Sequence, residues 1–376
     1  MKDKSAVVGL GYTKQGKVPG CSALSLYIEA SKNAASDAGL SVKDIDGLII
    51  EPCPSDPRIS AFRLAQEMGI ELRFGADERV EGASAGTIMQ HAAMAIDAGL
   101  CNYCLCAFAD TSYSSPWRGI VTYQMGSGIE SAYGMFGAAA RYAFIARRYM
   151  HEYGVTSRQF GTVSVAFRLH ASLNPRAVFR EPITIEDHQA SHWVVEPLRL
   201  LDCCAVHDGG RALIVTTAES ARQLRQPPVY IMGFGQGHPF VDPLRREVLT
   251  ITGAVQSGKT AFNMAGILPT DVDTCCIYDA FSFTVPLQLE DLGFCKKGEG
   301  ADFIQNGRIA LEGDLPVNTS GGLLSEVYLQ GWVGTHEAVS QLRGNCGARQ
   351  VPGAEIALFT SSGGFLSEHA TVILRR

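Results

Sequence analysis

The chain is 376 residues long, and much of what it lacks narrows its function. No apolar run approaches the roughly 20 residues that a helix needs to cross a bilayer. There is no surplus of positive charge either. Thirty-two lysines and arginines face 38 acids, a formal charge of −6, whereas a nucleic-acid or anionic-membrane binder would show a basic patch. The N-terminus, MKDKSAVVGLGYT, has no long hydrophobic stretch of the secretory kind. The 11 cysteines, an odd number, therefore read as reduced thiols in a cytoplasmic protein. CNYCLC (Cys101, Cys104, Cys106) has no second C-x-x-C to complete a structural zinc site. Cys104 and Cys106 instead share one face of an expected strand, YCLCAFA, so no metal site is expected. That strand is strongly apolar and would be a hazardous edge unless paired or covered. What the chain has in quantity is glycine (40 residues) and core (46% hydrophobic), enough for two domains or one duplicated unit.

GAVQSGKT, from Gly253 to Thr260, matches the phosphate-loop pattern G-x-x-x-x-G-K-[ST] letter for letter. Such a loop cradles phosphates in backbone N–H groups, with the lysine on the terminal phosphates. An internal repeat argues against that role. AASDAGLSVKDIDGLII from Ala34 and AFNMAGILPTDVDTCCI from Ala261 share the pattern A-x-x-x-A-G-[LI]-x-x-x-D-[IV]-D and a following apolar run. Asp44 and Asp46 match Asp271 and Asp273 at a constant spacing. In each copy a helix ends at Ala-Gly, a short acidic loop follows, and a buried strand comes next. Ser257–Ala265 is then the second copy of the helix over Ser25–Ala38, and Lys259 answers to Lys32, which lies in no glycine loop. No suitably distant apolar strand ends in a Mg²⁺-binding Asp. The match is a decoy. GLGYTKQG is a near miss for the dinucleotide fingerprint, because its third glycine, Gly16, comes too late.

With the repeat in view, the chain resembles thiolases over nearly its whole length, and within them the sterol carrier protein-type, lipid-transfer-protein branch. The carriers are AVVGLGYT with EASKNAASDAGLSVKDIDGLI; ARRYMHEYGVTSRQFGTVSVAFRLHASLNPRA; PLRLLDCCAVHDGGRALIVTT; YDAFS; and NTSGGLLSEVYLQG. The resemblance implies an α/β fold of two duplicated halves in five layers, αβαβα. The halves would be residues 1–222 and 223–376, with a helical insertion over about 112–196 in the first.

Four thiolase catalytic positions are replaced. Thiolases attack with a cysteine whose pKa is lowered at a helix N-terminus; here Gly82 stands in its place, in GASAGTIMQHAAMAIDAG. The histidine of G-H-P falls on Tyr328, the Asn/His of the N-E-A-F segment on Tyr278, and the second cysteine on Ser361. Without a thiolate no acyl-enzyme can form. The tyrosine pair resembles instead the thiolase-like aldolases that cleave steroid side chains. That resemblance implies a retro-aldolase that breaks the Cα–Cβ bond of a β-hydroxyacyl-CoA, giving a ketone or aldehyde plus propionyl-CoA or acetyl-CoA.

Tyr278 and Tyr328 are the expected proton-transfer residues. Gly82, Ser84, Ser361, Gly363 and Gly364 are the expected walls of the substrate and enolate pocket. The backbone N–H groups after Gly82 and near Gly363 and Gly364 are the expected holders of the enolate oxygen, and Gly82 is expected to leave room for a branched α-carbon. Ser84 has no visible base and His336 reads as a helix residue; His207, beside Asp208, reads as a structural hydrogen-bond partner. The resemblance further implies no cofactor beyond the CoA of the substrate, a thiolase-like homodimer, and a small OB-fold, zinc-ribbon partner that carries any zinc. The alternatives are a non-catalytic acyl-CoA or lipid carrier, a scaffold, and a divergent acyltransferase.

Overall fold

The computed structural model describes residues 1–115, 132–135, 137–239 and 246–376. The expected insertion lies partly outside these described residues, at 116–131 and 136. The first half supplies β1 (Ser5–Tyr12), β2 (Gly47–Ile50), β3 (Phe74–Asp77), β4 (Tyr103–Thr111) and β7 (Asp208–Thr217), with a separate small pair, β5 (Trp193–Val195) and β6 (Leu198–Arg199). The second half supplies β8 (Val229–Gly237), β9 (Thr274–Cys276), β10 (Ile356–Gly363) and β11 (Glu368–Arg375). Their order is β3-β2-β4-β7-β1-β8-β11-β10-β9. Outward from the β1–β8 seam, β1-β7-β4-β2 on one side mirrors β8-β11-β10-β9 on the other. Directions match too: antiparallel, antiparallel, then parallel in each half. The seam itself is short, Ala6 opposite Tyr230 and Val7 opposite Val229.

The repeated acids are structural, and they do the same job twice. Asp46 accepts the N–H groups of Asn102 and Tyr103 at the start of β4 (2.8 and 2.9 Å). Asp273 accepts those of Glu355 and Ile356 at the start of β10 (both 2.8 Å). Each carboxylate thus sits at the end of one strand and holds its parallel neighbour, satisfying N–H groups that the ladder leaves over.

Among the described residues, the helices that frame the core and the site include α1 (Ala23–Ala38), α2 (Ala61–Met68), α3 (Ser84–Asp97), α4 (Gly137–Tyr153), α5 (Ser157–Ser172), α6 (Ile185–Ala190), α7 (Ala254–Ala265), α8 (Thr284–Asp291), α9 (Gly322–Ser325) and α10 (Trp332–Leu342). Helices α1 and α7 both end on left-handed glycines, Gly39 and Gly266 (φ 78° and 68°). The look-alike phosphate loop is not a loop at all. Ala254 to Thr260 lie inside α7, and a Cβ on Gly258 would press on Leu292 at 2.7 Å. The near-miss fingerprint has a packing explanation. A Cβ on Gly11 would meet the Ala30 carbonyl of α1 at 1.8 Å, and one on Gly235 would meet the Ser257 carbonyl of α7 at 2.3 Å. Glycine lets helix and strand backbones touch in each half.

Alternate residues of the strands feed different apolar clusters, which sets the layers. Val8, Leu48, Ile50 and Leu105 pack under α1 and α2. Val7, Ile49, Cys104, Cys106 and Leu213, with Ile231, Phe359 and Val372, enclose α3 and α10 in the middle. Met232, Cys275, Leu358 and Ile373 pack against α7 and α8. The layering is therefore helix, sheet, helix, sheet, helix, as expected. Every residue of α10 except Gly334 is buried, the pattern of a helix enclosed on all sides. The apolar strand β4 is not an edge, however. It pairs with β2 and β7 and buries both faces, so its apolar character reports interior position rather than an oligomer interface. Among the described residues, no helix is long and apolar enough to cross a membrane.

Candidate active site

The N-terminal ends of the central helices α3 and α10 meet the C-terminal ends of β9 and β10 around a cavity of about 650 Å³, within the usual range for small-molecule sites. Gly82, Tyr278, Tyr328, Gly363 and Gly364 all line it, together with Phe108, Tyr142, Cys204, His207, Phe281, Gln330 and Phe365. Residues scattered from position 82 to 364 are thus brought to one place.

Tyr278 follows β9, and its backbone is pinned from both sides. Its N–H donates to Thr360 Oγ1 (2.9 Å), and its carbonyl accepts from Gln288 Nε2 (2.7 Å). Gln288 Oε1 accepts in turn from Thr360 Oγ1 and from His369 Nε2, both at 3.1 Å. His369 Nδ1 is left to accept from Ser257 (2.8 Å), so the serine of the look-alike phosphate loop supports a residue of the cavity. Burial pushes the His369 pKa down to about 3, keeping that imidazole neutral.

So held, the Tyr278 phenol lies directly against Gly82. A Cβ built on Gly82 would stand 2.4 Å from the Tyr278 hydroxyl oxygen and 2.1 Å from the Ser362 carbonyl. Gly82 was expected to leave room for substrate. In fact the tyrosine hydroxyl takes that room. Tyr328 is placed by its own N–H, which donates to His207 Nδ1 (3.0 Å), and its hydroxyl donates to Gln330 Oε1 (3.1 Å). Burial raises the pKa of both phenols. The two phenols also interact with each other through their side chains. Two residues beside them are held in the left-handed region without being glycine: Glu81 (φ 47°), next to Gly82, and Gln330 (φ 51°). Such backbone strain costs of order 1–3 kcal/mol each and collects at functional sites.

Ser84 and Ser361 do not line the cavity. The Ser84 hydroxyl accepts from Val80 N–H (2.9 Å) and donates to the Glu81 carbonyl (2.7 Å), tying the first turn of α3. The Ser361 hydroxyl accepts from Gly86 N–H (3.0 Å) and donates to the Ala83 carbonyl (2.9 Å), clamping β10 to α3. Both are fully buried behind the wall they stabilise. The N–H groups after Gly82 are committed as well: Ala83 donates to Val80 O and Ser84 to Glu81 O (2.9 and 3.1 Å). They are not free to hold an enolate oxygen.

Other titratable groups sort in the same way. Asp279 receives the N–H groups of Leu323 and Leu324 (2.9 and 3.1 Å), capping α9, and burial raises its pKa to about 7. His336 is buried with Nε2 between the carbonyls of Gly11 and Ala212 (3.1 and 3.0 Å), a packing role as expected. Asp208 gathers the N–H groups of Val18, Tyr113 and Ser114. The Cys204 thiol faces the cavity, but burial holds its pKa well above the ordinary value, so it offers no thiolate. Among the described residues no group of three His, Cys, Asp or Glu could hold a metal ion. The sequence placed neither His207 nor Gln330 in the cavity. The H-D-G after D-C-C was a signal for His207, while Gln330 carried none.

A family model for the thiolase C-terminal domain matches residues 235–376. The 17-hydroxy-3-oxo-4-pregnene-20-carboxyl-CoA lyase of Mycobacterium tuberculosis is 41% identical, over 97% of each chain. The steroid side-chain-cleaving aldolase of Thermomonospora curvata is also 41% identical, over 90% of each. The chain belongs to the thiolase-like steroid side-chain-cleaving aldolases. Its structure agrees: the solved Ltp2-ChsH2(DUF35) aldolase superimposes over the whole chain and 98% of its own, with a TM-score of 0.90 at 38% identity. The protein is therefore a carbon–carbon lyase of the retro-aldol type built on a thiolase fold.

Proposed function

We propose that this aldolase cleaves the Cα–Cβ bond of a β-hydroxyacyl-CoA of the steroid side-chain type, with Tyr278 and Tyr328 moving the protons. The observation that carries the reading is the Tyr278 hydroxyl standing where a thiolase nucleophile would, beside Gly82 and coupled to Tyr328 in the cavity. Retro-aldol chemistry needs a base for the β-hydroxyl proton, a holder for the thioester enolate, and an acid for its α-carbon. It needs no nucleophile. Tyr328 takes the β-hydroxyl proton as the C–C bond opens and passes its own proton to Tyr278, which returns one to the enolate. A cavity of about 650 Å³ with Phe108, Tyr142, Phe281 and Phe365 on its walls suits a fused-ring acyl group better than a short chain.

These steps use only proton transfer and hydrogen bonds, so the reading calls for no cofactor in this chain. A small OB-fold, zinc-ribbon partner is part of it, because the solved neighbour is a complex with a DUF35 protein. A homodimer is part of it as well. Support comes from β3, at the end of the sheet order, beside the exposed Phe62.

The test is cleavage of a steroid β-hydroxyacyl-CoA by the complex with that partner, following the ketone and the released propionyl-CoA or acetyl-CoA. Tyr278→Phe and Tyr328→Phe keep the rings, so folding should survive. Each should lower kcat about a hundredfold or more, with KM little changed. The double variant should be hardly worse than the poorer single one. Near-normal cleavage by both Phe variants would reduce the tyrosines to packing residues.

A further inference from the structure

We propose that His207 is the group that holds the thioester oxygen, through a neutral Nε2–H donor aimed into the cavity. The proposal rests on the tyrosine reading above and adds a side-chain holder for the oxygen. His207 lines the cavity, and its Nδ1 accepts the N–H of Tyr328 at 3.0 Å. An imidazole nitrogen that accepts cannot carry the proton, so in the neutral ring Nε2 does. The hydrogen bond given for the His207 ring among the described residues is the one at Nδ1. Burial, opposed by the charge of Asp208, lowers the His207 pKa to about 4, so the ring stays neutral at working pH. Phe179 packs against it (ring centroids 5.6 Å apart) and fixes its plane. The result is a preorganised neutral donor on the Tyr328 side of the site. The backbone N–H groups of Ala83 and Ser84, otherwise placed for the task, are already bonded.

In the step itself Tyr328 receives the β-hydroxyl proton as it passes its own proton to Tyr278, and the electron pair left on oxygen forms the new carbonyl at Cβ. The Cα–Cβ electron pair moves into a Cα=C bond, and the thioester C=O pair moves onto oxygen. His207 Nε2–H donates to that oxygen as its charge grows. The pair then returns, and Cα takes a proton from Tyr278. Nothing is oxidised or reduced. A neutral imidazole suits this role because it strengthens its hydrogen bond to the enolate without surrendering a proton.

Two substitutions separate this role from simple support of Tyr328. His207→Asn keeps an acceptor near the Nδ1 position for the Tyr328 N–H but places no donor at Nε2. His207→Gln can put an N–H near Nε2 while losing the acceptor. Measured on the complex, the Asn variant should lose about 10²–10³-fold in kcat with little change in KM, and the Gln variant should retain clearly more. A second readout needs no cleavage. In D₂O the unmodified complex should exchange deuterium into the α-carbon of propionyl-CoA, and the Asn variant should slow that exchange by a similar factor. An Asn variant as active as the unmodified complex, or better than the Gln variant, would overturn the proposal. Tyr278→Phe and Tyr328→Phe assayed alongside separate the two failures. If they still cleave, the tyrosine reading falls; if they fail while His207→Asn works normally, only the His207 assignment falls.

Discussion

Gly82→Ala adds a single methyl at the most crowded point of the site. The new carbon would lie 2.1 Å from the Ser362 carbonyl oxygen and 2.4 Å from the Tyr278 hydroxyl, where ordinary contact begins at 3.4 Å. The Ser362 carbonyl cannot retreat, because β10 is paired residue by residue with β11 through Ser362 and His369. The phenol must move instead, and it must break from a backbone held by Thr360 and Gln288. Overpacking of this kind costs about 1–3 kcal/mol. With an unfolding entropy near 2.1 cal/mol/K per residue, 376 residues give about 0.8 kcal/mol/K, so Tm should fall by only about 1–4 °C. Activity should fall much further, by about 10²–10⁴ in kcat, the usual loss when a positioned acid or base is displaced. The diagnostic is the cycle with Tyr278→Phe. Gly82→Ala/Tyr278→Phe should be no slower than Tyr278→Phe alone, since the hydroxyl is lost once either way. A Gly82→Ala enzyme with near-normal kcat and unchanged Tm would refute the placement of Tyr278 and the mechanism built on it.

Lys259→Ala should leave kcat and Tm nearly untouched, since Lys259 is exposed on helix α7. ATP should not raise Tm in either form, whereas a true ligand at 100 times its Kd would add about 2.7 kcal/mol; an ATP-dependent shift that Lys259→Ala abolishes would contradict this. Glu51 gives a pH prediction. Burial, opposed by the Trp332 N–H (2.7 Å), raises its pKa from 4.5 to about 8. A raised carboxyl pKa favours the folded state fully below the unfolded value, and that contribution is lost as pH rises through about 8. Urea melts from pH 6 to 9 should therefore show falling stability that Glu51→Gln partly flattens. Equal slopes in the two proteins would show that Glu51 titrates normally.

The fold was legible because it is written twice. The A-G-x-x-x-x-D-x-D spacing survives in both halves because Gly39 and Gly266 must be left-handed and Asp46 and Asp273 must each hold a neighbouring strand. These are local demands on particular residue types, and sequence records such demands well. The phosphate-loop match failed for the same reason. Gly253 and Gly258 are glycines for close packing, against Gly237 and Leu292, and packing glycines look like loop glycines on paper. Ser84 and Ser361 misled because alignment gives position and not direction. Both lie next to the cavity, but each hydroxyl is aimed at backbone groups of α3. Gln330 was hidden because its place depends on a strained backbone, and the place of His207 depends on a contact across more than 100 residues that its H-D-G segment hints at but does not record.

The tyrosine pair and the missing cysteine are one feature rather than two. Any side chain at position 82 would collide with the phenol of residue 278, so a nucleophile there and a tyrosine hydroxyl here exclude each other sterically. A thiolase site cannot pass to this arrangement by adding a tyrosine alone, nor by losing a cysteine alone without leaving a void at the end of α3. The replacement of the thiolase histidine by Tyr328 completes the exchange. An imidazole in that place would serve to deprotonate a thiol that no longer exists, whereas a second phenol interacts with the first. The fold kept the cavity, the central helices and their N-terminal ends. On the mechanism proposed above, one oxygen now stands where a sulfur would have stood.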